Sequence, residues 1–94
     1  MKDVEIAEIC KALADANRLK IIKLLSQGDK CGCELLEVLA VSQPTLSHHM
    51  KVLSACGLVK VQKSGKWCHY SINCQCFKEF RDYIASITCG KQYF

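Results

Sequence analysis

The sequence predicts a mainly α chain carrying one small β-hairpin, ordered as a winged helix-turn-helix. Three observations carry that expectation. Apolar residues recur at helical spacing in several short stretches; two of these stretches lie only three or four residues apart, the second opened by small polar groups; and a lysine-tipped pair of β-rich runs follows. At 94 residues the chain is read as one domain over 1–94. So small a domain, with only 7% aromatic residues, is expected to complete its core against a partner subunit.

The first helix is expected over residues 3–14, where Ile6, Ile9, Cys10, Leu13 and Ala14 share one face and Asp3, Glu5 and Glu8 load the anion-favouring first turns. A second follows over 18–27, with Leu19, Ile22 and Leu25 inward, Asp15 or Asn17 as cap and Gly28 as stop. A short third helix fits 31–39, turning Leu35, Leu36 and Leu39 inward. Ser42 caps a fourth over 43–55, in which Pro44 needs no donor and Leu46, Met50 and Leu53 form the apolar stripe. Gly57 ends it. Residues 58–61 and 67–72 are β-rich and flank a tip at 63–66 that holds Gly65. Phe77, Phe80, Ile84 and Ile87 mark a last helix whose stripe is assigned to a dimer seam.

Composition narrows the function. The chain is half hydrophobic with a single proline, which excludes disordered and collagen-like classes. No run is long or apolar enough for a membrane span, and no signal peptide is visible, so a cytoplasmic location is expected. The eight cysteines are then read as reduced thiols for metal binding or redox sensing rather than as a disulfide scaffold. The net charge of +4 is unevenly spread: between Glu37 and Glu79 there is no acidic residue, while Lys51, Lys60, Lys63, Lys66 and Lys78 supply five positive charges. Such segregation marks a surface for a polyanion.

With its apolar stripe inward, the fourth helix leaves Ser42, Gln43, Thr45, Ser47, His48 and Lys51 for the major groove of double-stranded DNA. Their chemistry suits that task, because an amide can pair with an adenine edge and hydroxyls and imidazole serve base or phosphate. His49 is read as buried and hydrogen-bonded within the fold, in preference to a DNA contact or metal ligand. Lys63 and Lys66 offer charge on flexible stems and are expected to hold backbone phosphates.

Lys11-Ala12-Leu13-Ala14-Asp15, Arg18-Leu19-Lys20-Ile21-Ile22, the run from Val41 through Ser42-Gln43-Pro44-Thr45-Leu46-Ser47-His48-His49 to Leu53, Gly57-Leu58-Val59 and the 63–70 wing together resemble the ArsR/SmtB family of metal-responsive repressors. The resemblance spans nearly the whole chain. It implies a homodimeric winged helix that binds operator DNA when metal-free and leaves it when an inducer binds, with Gln43, Ser47 and His48 at operator-contacting positions. Ala16 stands where the family frequently has proline and Ala40 where it often has glycine, so only local turn geometry is affected.

Cys31-Gly32-Cys33-Glu34-Leu35 looks like that family's Cys-x-Cys-Asp-Leu inducer box. Independently, two thiolates at a helix start make a soft site for As(III), Sb(III), Cd(II), Pb(II) or Zn(II). Because residues i and i+2 do not face each other on a regular helix, chelation by both is expected to unwind the first turn of the third helix. A third ligand is open among Cys74, Cys76 and Cys89; Cys10, Cys56 and Cys68 are read as core filler. The last helix lacks the histidines of the family's Zn(II) site. Two alternatives stand beside this reading: a thiol-redox or sulfide-responsive repressor of the same fold, and a thiol-rich metal buffer. No acid-base pair or nucleophile arrangement suggests an enzyme.

Overall fold

Helix α1 (Asp3–Leu13) opens the chain in the computed structural model, which describes residues 1–88. Asp3 and Glu5 occupy its first turn, and the Glu5 carboxylate accepts a hydrogen bond from the Lys2 backbone N–H at 2.8 Å. It buries Ile6, Ile9 and Ala12. Cys10, expected on the inward stripe, is exposed instead, because the turn that buries Ala12 points position 10 outward.

Helix α2 (Ala16–Leu25) begins two residues before the expected start. Asp15 causes this: its extended backbone ends the loop, and its carboxylate accepts from the N–H groups of Asn17 and Arg18 at 2.9 and 3.1 Å. Ile21 and Leu25 are buried, whereas Leu19, also expected inward, is 44% exposed.

A strand that the sequence pattern does not foreshadow follows, β1 (Lys30–Cys31), and runs directly into α3 (Gly32–Val38). Helix α4 (Gln43–Ala55) comes next, capped by Ser42. Strands β2 (Val59–Ser64) and β3 (Trp67–Ile72) form the hairpin, and α5 (Cys74–Ser86) closes the described chain on an Asn73 cap. The hairpin is longer and its turn tighter than expected. Ser64 pairs with Trp67 around a two-residue turn, where Gly65 adopts φ +62°. Lys63 therefore lies within β2, opposite Cys68, and Lys66 alone of the two lysines occupies the turn. The sheet is three-stranded and antiparallel in the order β1-β3-β2.

Ile9, Ile21, Leu35, Leu53 and Leu58 lie at the centre of the core. Gly57, at φ +90°, stops α4; a Cβ there would sit 3.6 Å from the Cys76 sulfur, so α5 docks closely over this turn. Phe77 and Phe80 pack on the core, but Ile84 and Ile87 remain 40% and 65% exposed. No helix among the described residues is long and apolar enough to cross a membrane.

Candidate DNA interface and thiol site

The orientation of α4 follows from its apolar stripe. Leu46, Met50 and Leu53 are buried at i, i+4 and i+7, so Gln43, Thr45, Ser47, His48 and Lys51 are exposed on the opposite side, as the spacing predicts. Ser42 is exposed too, but it is engaged locally: its Oγ accepts from the Thr45 N–H at 3.3 Å and donates to Thr45 Oγ1 at 2.9 Å. Both hydroxyls hold the start of the helix. Lys63 and Lys66 are exposed on the wing.

His49 is 6% exposed and fixed within the fold. Its Nδ1 lies 3.1 Å from Arg18 Nη1, and its Nε2 4.0 Å from Asp15 Oδ1. Arginine only donates, so Nδ1 is the acceptor and the imidazole proton sits on Nε2, towards Asp15. Arg18 also donates to the Ala12 and Lys11 carbonyls. The Arg18 N–H, chiefly, holds the Asp15 carboxyl below the usual aspartate range. In the sequence Arg18 reads as one more surface cation, and no local signal marks its role.

Cys31 and Cys33 meet at the β1-α3 junction. Their sulfurs are bonded as a disulfide, with Cα atoms 5.4 Å apart, which corrects the expectation of two reduced thiols. It also removes the need to unwind the helix. Cys31 is the N-cap, extended at φ −84° and ψ 162°, so its side chain is not bound by helical i, i+2 geometry and reaches Cys33 with α3 intact. The Cys31 N–H donates to Glu34 at 2.9 Å, fixing this turn.

The remaining cysteines are dispersed. Cys74 lines a different cleft, beside Ile22, Leu25 and Phe77, and Cys76 is buried over Gly57, its thiol pushed up by burial and then by nearby Cys56. Neither joins the Cys31–Cys33 pair, and Cys89 lies outside the described residues. Among the described residues no group of three or more His, Cys, Asp or Glu side chains forms a metal cluster. Cys68 is not core filler: it shares a cleft of about 390 Å³ with Cys33, Gln43, Ser47, Lys66 and Tyr70. Once the bond between them is reduced, two sulfurs on a short, anchored turn are soft donors of the type thiophilic ions prefer.

A helix with polar groups outward, set between a short helix and a basic hairpin, defines a winged helix-turn-helix DNA-binding regulator and not an enzyme. The chain belongs to the bacterial regulatory protein, arsR family, whose pattern it matches over residues 15–61. An arsenical resistance operon repressor from Staphylococcus xylosus is 49% identical over 80 residues, 85% of this chain and 73% of that protein. Among solved structures, an ArsR-like transcriptional regulator from a Rhodococcus species has a TM-score of 0.80 at 28% identity, covering 89% of this chain and 79% of the other. The homodimeric winged helix-turn-helix domain of a possible ArsR-family regulator from Mycobacterium bovis, solved by NMR, has a TM-score of 0.74 at 25% identity and covers 92% and 86%.

Proposed function

We propose that this chain is a homodimeric repressor that binds double-stranded operator DNA and is released when a thiophilic ion is held by Cys31 and Cys33. The observation that carries this reading is the shared cleft: Cys33 forms one wall and Gln43 and Ser47, at the start of α4, form another. A change of geometry at the thiol turn therefore acts directly beside the groove-reading side chains.

In the DNA-bound state Gln43 and Ser47 read base edges, His48 and Thr45 add contacts from the same face, Ser42 fixes the first turn, and Lys51, Lys63 and Lys66 hold phosphates. Once a thiol reductant has delivered two electrons to the Cys31–Cys33 bond, the two thiolates would hold the ion. Holding both sulfurs on one centre re-aims the turn between β1 and α3, and α3 packs on α4. Release follows if the ion prefers the arrangement that DNA does not, a coupling of about 1–3 kcal/mol in typical regulators. The exposed Ile84 and Ile87 suit a dimer seam, and the homodimeric Mycobacterium bovis relative supports the same assembly. As(III) is the first candidate, given the arsenical repressor relative, with Sb(III), Cd(II), Pb(II) and Zn(II) as further thiophilic choices.

A mobility-shift titration of the reduced protein on operator DNA tests this. Loss of the shifted band on adding As(III) or Cd(II) is expected; if none of the five ions changes binding, ion sensing is wrong. A second reading, in which thiol oxidation or persulfide formation is the input, is favoured by the Cys31–Cys33 bond itself. Release of the reduced protein by peroxide or by a polysulfide, whose sulfane sulfur is already at the persulfide level, but by no metal ion, distinguishes it.

A further inference from the structure

We propose that Cys68, on the wing strand β3, is the third sulfur of the inducer site, closing across the cleft onto Cys31 and Cys33. This rests on the reading of those two cysteines as the ion-binding pair. A trivalent arsenic centre has three positions to fill, and the β1-α3 turn provides two sulfurs.

Three observations single out Cys68. It lines the same cleft as Cys33, with Gln43 and Ser47 on the neighbouring wall. The backbone of Cys31 is paired with His69, the residue next to Cys68, so the wing strand is already tied to the thiol turn. Cys68 is also half-buried and, by strand alternation, faces the same way as Tyr70, which lines the same cleft. Among the described residues the other sulfurs are elsewhere, Cys56 donating to the Leu53 carbonyl at the end of α4. Cys74 lies past the far end of β3, Cys76 beneath Gly57, and Cys10 exposed on α1.

The trio is not preassembled. A thiol reductant first transfers two electrons to the Cys31–Cys33 bond, giving two thiols. Arsenite, As(OH)3, then exchanges three As–O bonds for three As–S bonds; each thiol proton leaves with a hydroxide as water, and arsenic remains trivalent. Drawing Cys68 towards Cys33 narrows the cleft. Its rim includes Lys66 in the wing turn as well as Gln43 and Ser47, so the phosphate-holding and base-reading parts of the DNA surface move relative to each other.

The test compares arsenite with phenylarsine oxide, whose phenyl group leaves only two exchangeable positions. Both are titrated into reduced wild-type and Cys68→Ser protein, followed by near-ultraviolet arsenic-thiolate absorption and by release from operator DNA. Wild type is expected to bind both. Cys68→Ser should lose arsenite affinity on the order of a hundredfold, the scale of removing one tethered ligand from a multivalent site, and keep its response to phenylarsine oxide. An unchanged arsenite titration overturns the proposal, as does loss of arsenite binding in Cys74→Ser, Cys76→Ser or Cys89→Ser instead. A Cys68→Ser chain that loses both compounds alike overturns it too, since Cys68 has no part in the two-sulfur site. Wild-type protein that binds neither compound refutes the Cys31–Cys33 reading itself, and this inference with it.

Discussion

Arg18 Nη1 and His49 Nδ1 stand 3.1 Å apart and join the start of α2 to the buried side of α4. Because the same guanidinium donates to the Ala12 and Lys11 carbonyls, one side chain fixes the end of α1, the start of α2 and the helix that carries the DNA-facing residues. The angle at which α4 is presented is thus set by a polar contact as well as by its leucines.

His49→Ala should destabilise the fold by about 1–3 kcal/mol, since it removes a buried partner and leaves an arginine donor unmet. His48→Ala, one residue away and exposed, should leave stability unchanged and weaken operator binding. Urea unfolding and mobility shift on the two variants check the pair. Equal destabilisation by both would contradict the assigned helix orientation.

Cys33→Ser should retain folding and operator binding and lose release by the inducer, because a hydroxyl matches the thiol in shape but is a poor soft-metal ligand. Normal dissociation of this variant on adding As(III) and Cd(II) would place the sensor elsewhere.

Lysine and amide variants should separate. Lys63→Ala and Lys66→Ala are expected to weaken binding to all DNA sequences and to flatten the salt dependence by about 0.9 in log-log slope for each phosphate no longer held. Gln43→Ala should instead lose discrimination of roughly 1–3 kcal/mol between operator and scrambled DNA at one fixed salt concentration. If it weakens both DNAs equally, the amide holds backbone.

Stability should fall in acid through Asp15. Its carboxyl is depressed in the folded state, so the stabilisation is fully present above the ordinary aspartate value of 3.8 and is lost as pH drops through the lower folded value. Asp15→Asn keeps a capping oxygen without the charge and should flatten the acid limb of urea midpoints measured across that range. An identical acid limb in the variant would show that another carboxylate dominates.

Much of the fold was legible because it depends on local pattern. The stripe of Leu46, Met50 and Leu53 orients α4, Ser42 and Pro44 set its start, and Gly57 and Gly65 mark a helix stop and a hairpin turn by their positive φ. The expected boundaries failed where a tertiary contact decided them. Strand β1 has two residues, too few for any alternation to show, and exists because β3 offers it a ladder. Helix α2 buries Ile21 in place of Leu19, since packing chose between two overlapping apolar stripes.

The winged helix order, the outward residues of α4 from Gln43 to Lys51 and the candidate thiol pair Cys31 and Cys33 are readable from the chain alone, because helical periodicity, capping chemistry and thiol spacing are properties of sequence neighbours. Three relations come from the folded chain instead: Cys31 and Cys33 meet without unwinding α3, Arg18 locks His49, and Cys68 faces the same cleft as Cys33 while Cys74 and Cys76 do not. Those relations join residues as many as 35 positions apart in sequence. Their proximity is produced by sheet pairing and core burial, which no local pattern encodes.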